Sequence, residues 1–376
     1  MQTIVSLDIG TSVIKCVLFD KKFKQLKIFS EKNIVKYNNL GHSEVSMTKL
    51  WSICKILLIE TIKFSKKNNY NILCIGLTAN MVGLYPIDPN GNPVRNGILW
   101  NDSRTSELMN KMKSENIRIY EEIFSVSGSV MQLGCTIPLA KWYYEYEKPL
   151  FKKTKWILNC KDWIRYKLTN TISNDFTEIV VSPGDAKKIN RSNKIFKLFK
   201  LNNEIIKKLP KCQKSDSIAG YTSAKINRIL GLDKSIPVSI GAGDVPSSVI
   251  GLGVNNDNTA ATIFGTTIHN CFVSKHPIFY PKNIGLLFYS PNSLWLKTMI
   301  NVAGTINIDW VVKNFFNISN NDNLDKNILK IENYILKNNI SSNGLYFLPY
   351  LNYGGVIAPF HNENASGVIY GLNHDH

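Results

Sequence analysis

At 376 residues, with 44% hydrophobic and 11% aromatic side chains, the chain is too long for one ordinary compact domain and suits two with real cores. Seven scattered cysteines without a CxxC pair, no signal peptide at Met1 and no apolar run of the ~18 residues a membrane span needs argue against a disulfide framework, a zinc site and a membrane protein. The net charge of +17 comes from lysines interleaved with Asn and Ile along the chain, which reads as a solvated basic surface and not a nucleic-acid face.

The first element is a hairpin. Two apolar runs, Val5 to Ile9 and Val13 to Phe19, flank Gly10-Thr11-Ser12. Gly10 is expected to take a positive φ and to let a ligand approach the backbone. Successive N–H groups in such a turn form an anion site. Thr11 and Ser12 add hydroxyl donors, and Lys15 adds a cation on the next strand. Asp8 ends the first strand, placed to hold a hydrated metal ion and not the phosphate itself. The plainer alternative is an ordinary hairpin with a buried-edge Asp.

Leu26 to Tyr37 predicts a third strand completing a small antiparallel sheet. Met47 to Lys66 predicts an amphipathic helix, with Leu50, Trp51, Cys54, Leu57, Leu58, Thr61 and Ile62 at helical spacing. Ile72 to Leu77 is a continuous apolar run that suits a buried parallel strand. Strands, then a helix, then a parallel strand is the order of a ribonuclease-H-like α/β domain. Asn80, Met81 and Val82 follow the end of that strand, where open α/β sheets bind ligands.

Ile98 to Arg104 is an apolar run ending in a polar cluster. Trp100, Asn101, Asp102 and Arg104 suit a polyhydroxylated ligand; equally, they suit a strand end with an Asp102 cap and an Asp–Arg pair. Ser125 to Tyr146 predicts a loop and a helix, and Trp156 to Ile164 a strand running into a helix. The Lys/Asn-rich stretch Gly184 to Ser217 is expected to be peripheral. Ile236 to Ser248 predicts a buried strand ending in small residues, followed by Asp244. Asp244 reads either as a helix N-cap, with Pro246 in the first turn, or as a general base in a Gly-rich setting.

A boundary is expected near Gly251-Leu252-Gly253-Val254-Asn255-Asn256-Asp257, giving domains 1–250 and 251–376. A second hairpin, Thr259 to Val273, then repeats the first device with Gly265-Thr266-Thr267. Two such hairpins, one in each half, are expected to grip a polyphosphate from both sides of a cleft. Gly304 enters a further amphipathic helix and is a candidate nucleotide contact.

Five motifs in order carry a resemblance: Asp8-Ile9-Gly10-Thr11-Ser12-x-x-Lys15, Trp100-Asn101-Asp102-x-Arg104, Gly241-x-Gly243-Asp244, Gly265-Thr266-Thr267 and Gly367-x-x-x-Gly371-Leu372. Through them the chain resembles the FGGY family of carbohydrate kinases, and within it the xylulokinase-like branch that phosphorylates pentuloses. The resemblance implies two ribonuclease-H-like (actin-like ATPase) domains closing over ATP, Mg²⁺ and a sugar. It also implies Asp244 as catalytic base and both Gly-Thr hairpins as phosphate holders. The expected activity is ATP-dependent phosphorylation of a sugar hydroxyl in the cytoplasm, on a pentulose or a related ketose or polyol. The rival readings are a non-catalytic sugar-binding remnant and an actin-like ATPase. The expected partner is the small sugar, with neither nucleic acid nor membrane; a homodimer is allowed for.

Two departures go with the resemblance. Asn80-Met81-Val82 stands where xylulokinases have Gln-Met-His, and the Arg-Glu pair of glycerol kinases is missing, which disfavours glycerol. The chain also ends within the Gly371-Leu372 signature. The resemblance therefore implies an incomplete second domain whose adenosine pocket is absent, with weakened nucleotide binding.

Overall fold

The computed structural model describes residues 1–265, 267–301, 304–316, 324–351, 358, 362 and 365–374. The first half is built on a seven-stranded sheet. Its order runs Ile218–Tyr221, Pro237–Ser239, Asn71–Ala79, Gln2–Ile9, Val13–Asp20, Gln25–Lys32, with short Ala242–Gly243 also pairing on Asn71–Ala79. Gln2–Ile9, Val13–Asp20 and Gln25–Lys32 are antiparallel neighbours, whereas Asn71–Ala79 pairs parallel to Gln2–Ile9. Parallel pairing needs a crossover, and the helix Met47–Lys67 supplies it. Leu50, Cys54, Leu57, Leu58 and Ile62 of that helix are buried in one cluster with Val5, Leu7, Ile9, Ile14, Cys16 and Leu18.

A four-stranded antiparallel sheet follows in the order Thr259–Phe264, Ile268–Ser274, Trp295–Asn301, Leu286–Tyr289. Its Ala261, Cys271, Leu286 and Phe288 share one apolar cluster with Met81, Val82, Val181 and Val249 of the first half. The strand end after Asn71–Ala79 therefore abuts the second sheet, and a cleft forms where they meet.

Several expectations need correction. The predicted third strand ends at Lys32, because Asn33 turns back onto the first hairpin: its N–H donates to the Ser12 carbonyl at 2.8 Å and its Nδ2 to the Gly10 carbonyl at 3.0 Å. Val35–Tyr37 instead joins Ser43–Val45 and Gly97–Ile98 in a separate small sheet. Ser125 lies in a helix, Ile119–Ser127, not in a loop. The stretch 184–217 is not peripheral: Ile195 and Phe199 are fully buried in a second core with Ile123, Leu139 and Tyr143. Its lysines are exposed except Lys208, whose Nζ bonds the Thr154 carbonyl, and apolar residues between them pack inward.

Candidate functional site

The first hairpin turn closes with the Gly10 N–H on the Val13 carbonyl at 3.1 Å. Gly10 does not take the expected left-handed φ. It is needed because a Cβ there would stand 2.6 Å from the Val13 oxygen. Asp8 is opposite Lys15 in the ladder. Burial raises the Asp8 pKa, and the Lys15 charge opposes that rise. Lys15 and Ser12 are exposed at the mouth of the turn. The Trp100 indole, 38% exposed, donates from Nε1 to Thr11 Oγ1 at 3.0 Å.

Three strand ends bring the two carboxylates to one edge. Thr78 faces Asp8 on one side and Ala242 on the other. Asp244 is two residues past Ala242 and is the first residue of the helix Asp244–Gly251, whose N-cap is Gly243. The alternative of Asp244 as N-cap is thus not what the chain adopts. Its Oδ1 accepts the Val245 N–H at 2.8 Å. Burial pushes the Asp244 pKa up to about 7, the Val245 N–H opposing and the Asp8 charge adding. Pro246 falls in the first turn, where its missing N–H costs nothing. Gly241, at φ +81°, would put a Cβ 2.3 Å from the Leu77 carbonyl oxygen.

Beneath this edge lies a buried charge cluster absent from the expectations. Lys161 Nζ is 2.5 Å from Asp175 Oδ2 and 3.3 Å from Asp162 Oδ1, and Arg165 Nη1 is 3.0 Å from Asp162 Oδ1. Asp175 Oδ1 accepts from Thr177 Oγ1, at 2.5 Å, and from Ser215 Oγ, at 3.0 Å. Thr177 Oγ1 in turn accepts the Gly243 N–H at 2.9 Å, one residue before Asp244. Glu178 beside it is fully buried; burial raises its pKa well above the ordinary value, with the Lys161 charge opposing. Its Oε2 accepts the Val82 N–H at 2.7 Å, and Asn159 Nδ2 donates to the Val82 carbonyl at 2.9 Å. Val82 is held between them at φ +55°, a conformation a β-branched residue avoids unless its surroundings impose it.

The cleft has a volume of about 280 Å³ and gathers Thr11, Met81, Val82, Trp100, Asp244 and Thr267 from the predicted residues. Four of the predicted sugar contacts are not there. Asn80 is buried, and its Nδ2 donates to the Ile9 carbonyl at 2.9 Å. Asp102 and Arg104 form the buried pair of the plainer alternative: Asp102 accepts the Ser43 N–H at 2.6 Å, and Arg104 reaches Asp102, Glu44 and the Trp142 ring. Asn101 is exposed and does not line the cleft.

In the second hairpin the Gly265 N–H donates to the Thr267 carbonyl at 3.0 Å. A Cβ on Gly265 would meet only ordinary contact, the Thr267 oxygen at 3.5 Å. Thr305, next to Gly304, donates from its N–H at 2.8 Å and from Oγ1 at 3.1 Å to the Gly265 carbonyl, tying the helix Ile306–Phe315 to that turn. Thr266 lies outside the described residues.

Sequence reasoning passed over Gln132 and His269, which also line the cleft. Strand alternation was the signal for His269, two residues after Thr267 and so on the same face. The residues suit a nucleotide's phosphates with a hydrated divalent ion. Two carboxylates share one edge beside a turn, while no group of three or more His, Cys, Asp or Glu side chains forms a metal cage among the described residues.

The pattern of the FGGY family of carbohydrate kinases, N-terminal domain, matches residues 3–251, and the chain belongs to that family. It is thus a carbohydrate kinase of α/β architecture with the ribonuclease-H-like, actin-like ATPase fold of its relatives. A xylulose kinase of Staphylococcus epidermidis is 25% identical over 380 residues, covering 100% of this chain and 72% of that protein. The crystal structure of xylulose kinase from Rhodospirillum rubrum superposes with a TM-score of 0.86 at 18% identity, covering 100% of this chain and 74% of that one. Gluconate kinase from Lactobacillus acidophilus superposes with a TM-score of 0.85 at 20% identity, covering 99% and 73%. The chain thus spans about three quarters of the length of these proteins. Among the described residues no helix is long and apolar enough to cross a membrane.

Proposed function

We propose that the chain phosphorylates a hydroxyl of a small ketose, of the pentulose class named for its relatives, with Asp244 as general base. The observation that carries this reading is Asp244 itself. It opens the cleft's inner edge at a helix start, beside Asp8, with its pKa raised to about 7. A base titrating near the working pH combines a useful deprotonated fraction with proton affinity.

Asp244 would take the proton of the attacking hydroxyl as that oxygen bonds to phosphorus. A bound ATP supplies the transferable phosphoryl group. Phosphoryl transfer through a loose transition state asks the protein chiefly for positioning and charge stabilisation. The Gly10-Thr11-Ser12 turn, with Lys15, would hold phosphate oxygens from the first half. The Gly265-Thr266-Thr267 turn, braced by Thr305 and followed into the helix by Gly304, would hold them from the second. Asp8 would hold Mg²⁺ through water. Met81, Val82 and Trp100 would wall the sugar site, and the Trp100–Thr11 bond would join that wall to the phosphate turn. Domains 1–250 and 251–376 would carry one hairpin each. Seven unpaired cysteines suit a reducing cytoplasm.

The test is Asp244→Asn in the full chain, measured by coupled ADP release with D-xylulose and by calorimetry of sugar binding. The expected result is sugar binding within a few-fold of the parent and a rate lower by ~10²–10⁴. Phosphorylation at the parent rate would overturn Asp244 as base. ADP release indifferent to sugar in the parent would favour an actin-like ATPase.

A further inference from the structure

The cleft accounts for the Asp244 side chain but not for what fixes the backbone beneath it. Asp244 follows Gly243, the N-cap of its helix, and the Gly243 N–H donates to Thr177 Oγ1 at 2.9 Å. On another side of Gly243 a Cβ would stand 2.4 Å from Cγ and Sδ of Met81. Downstream on the same helix, Ser247 Oγ accepts from Thr78 Oγ1 at 3.1 Å, and Thr78 is the strand residue that faces Asp8. Thr177 is itself fully buried and does not line the cleft.

The direction of the Thr177 bonds is forced. An N–H only donates, so Thr177 Oγ1 accepts from Gly243, and its single proton goes to Asp175 Oδ1 at 2.5 Å. The same Oδ1 accepts the Thr177 N–H at 2.9 Å and Ser215 Oγ at 3.0 Å, while Oδ2 is 2.5 Å from Lys161 Nζ. One carboxylate therefore holds Thr177 by both its backbone and its hydroxyl. A buried N–H left without an acceptor costs free energy, so without that hydroxyl the Gly243 backbone would shift toward another partner. Asp244 is the next residue and would move with it. Misplacing a reacting group by ~1 Å costs on the order of 10²-fold in rate.

We propose that Thr177 is a positioning residue for phosphoryl transfer: its hydroxyl fixes the Gly243 N–H, and so the place from which the Asp244 carboxylate meets the attacking hydroxyl. This rests on Asp244 as general base, as proposed above. Thr177 reaches Asp244 only through Gly243 and touches no ligand site. The Lys161–Asp175 pair stands behind it and holds the oxygen to which Thr177 donates. The buried cluster thereby orients a bond at the reacting edge, besides holding the fold together.

The test is steady-state kinetics of the full chain with ATP and D-xylulose, in the parent, Thr177→Val, Thr177→Ser and Asp244→Asn. Valine keeps the shape of threonine without its hydroxyl, and serine keeps the hydroxyl. The expected result is a kcat lower by roughly tenfold or more in Thr177→Val, with KM for xylulose within about threefold of the parent, and a kcat restored to within about threefold in Thr177→Ser. A threonine needed only for stability would lower the melting temperature and leave kcat per folded molecule unchanged. Thermal unfolding gives the folded fraction of each variant, and Thr177→Ala replaces Thr177→Val if the latter does not fold. Hydrogen exchange at the Gly243 amide of the parent needs no variant: strong protection is expected, and exchange at the rate of an exposed amide overturns the inference. A kcat within about twofold of the parent in folded Thr177→Val, or Thr177→Ser as slow as Thr177→Val, also overturns it, while a slow Asp244→Asn leaves the base reading standing. Parent-rate turnover by Asp244→Asn, or no xylulose-dependent ADP release by the parent, overturns both.

Discussion

Replacing Lys161 with methionine tests the buried cluster that holds the Asp244 helix. The cluster pairs two cations, Lys161 and Arg165, with two anions, Asp162 and Asp175, and burial raises the pKa of Glu178 beside them. All four charged side chains are fully buried. Lys161→Met leaves one uncompensated negative charge in that interior. Asp175 would keep the Thr177 and Ser215 hydroxyls but lose its ion partner at 2.5 Å. Removing one member of a buried pair costs about 3–5 kcal/mol, a large part of the roughly 5–15 kcal/mol that holds a typical protein folded. At roughly 2–4 °C per kcal/mol the melting midpoint should fall by about 6–20 °C. The double variant Lys161→Met/Asp175→Asn is neutral again and should regain a substantial part of the loss, a coupling of about 1–3 kcal/mol. Urea unfolding followed by circular dichroism measures the parent, Lys161→Met, Asp175→Asn and the double variant. A loss below about 1 kcal/mol in the single variant, or a double variant no better than the sum of its parts, would refute the charge-balance argument.

Further outcomes follow from single contacts. Asp244 holds its proton in the folded chain up to about pH 7, whereas an unfolded Asp releases it near 3.8. Between those values the folded state binds more protons, so this group's contribution to stability falls as pH rises through that window. Asp244→Asn should therefore gain stability relative to the parent on going from pH 4 to pH 8, by about 1–2 kcal/mol once solvent access to the cleft discounts the ~4 kcal/mol bound; an equal difference at both pH values in urea melts would contradict this. Gly10→Val should weaken ATP binding tenfold or more by calorimetry, because its Cβ meets the Val13 oxygen, while Gly265→Ala, with only an ordinary contact, should stay within about twofold; equal losses would refute the steric argument. Glu178→Gln should leave stability at pH 7 within about 1 kcal/mol, since a neutral amide can still accept the Val82 N–H, and a much larger loss would mean that Glu178 is ionised.

The local periodicities were legible. Both hairpins, the crossover helix and the parallel strand follow from alternation, helical spacing and an apolar run, and each forms as those patterns predict. The meeting of Asp8 and Asp244 was legible only through family resemblance. It depends on Thr78 standing between two strand ends far apart in sequence, a long-range pairing that no local signal encodes. Asn80, Asp102 and Arg104 show the opposite difficulty. A polar residue at a strand end can face a ligand or satisfy a nearby backbone group, and the order of residues is the same in both cases. Lys161, Asp162 and Arg165 have the spacing of a solvated helical face, yet Asp175, brought in by the next helix start, draws them inward. Gly10 illustrates a subtler miss: the glycine was the right cue, but exclusion of a Cβ is its reason.

The Trp100–Thr11 bond also has an optical consequence. An indole whose N–H is hydrogen-bonded at the lip of the first turn, with its ring partly in water, emits at a wavelength set by that environment. On the function proposed above, phosphate at the turn or sugar in the cleft would change the bond or the hydration around the ring. Of the chain's other tryptophans, Trp51, Trp163 and Trp295 are buried in the cores, and none of the remainder lines the cleft. The protein thus carries its own fluorophore between the first turn and the cleft, the two places proposed above for phosphate and sugar. Substituting Trp100 with phenylalanine identifies its share of the emission, and the rate at which that share changes on mixing times the arrival of each ligand without any attached dye.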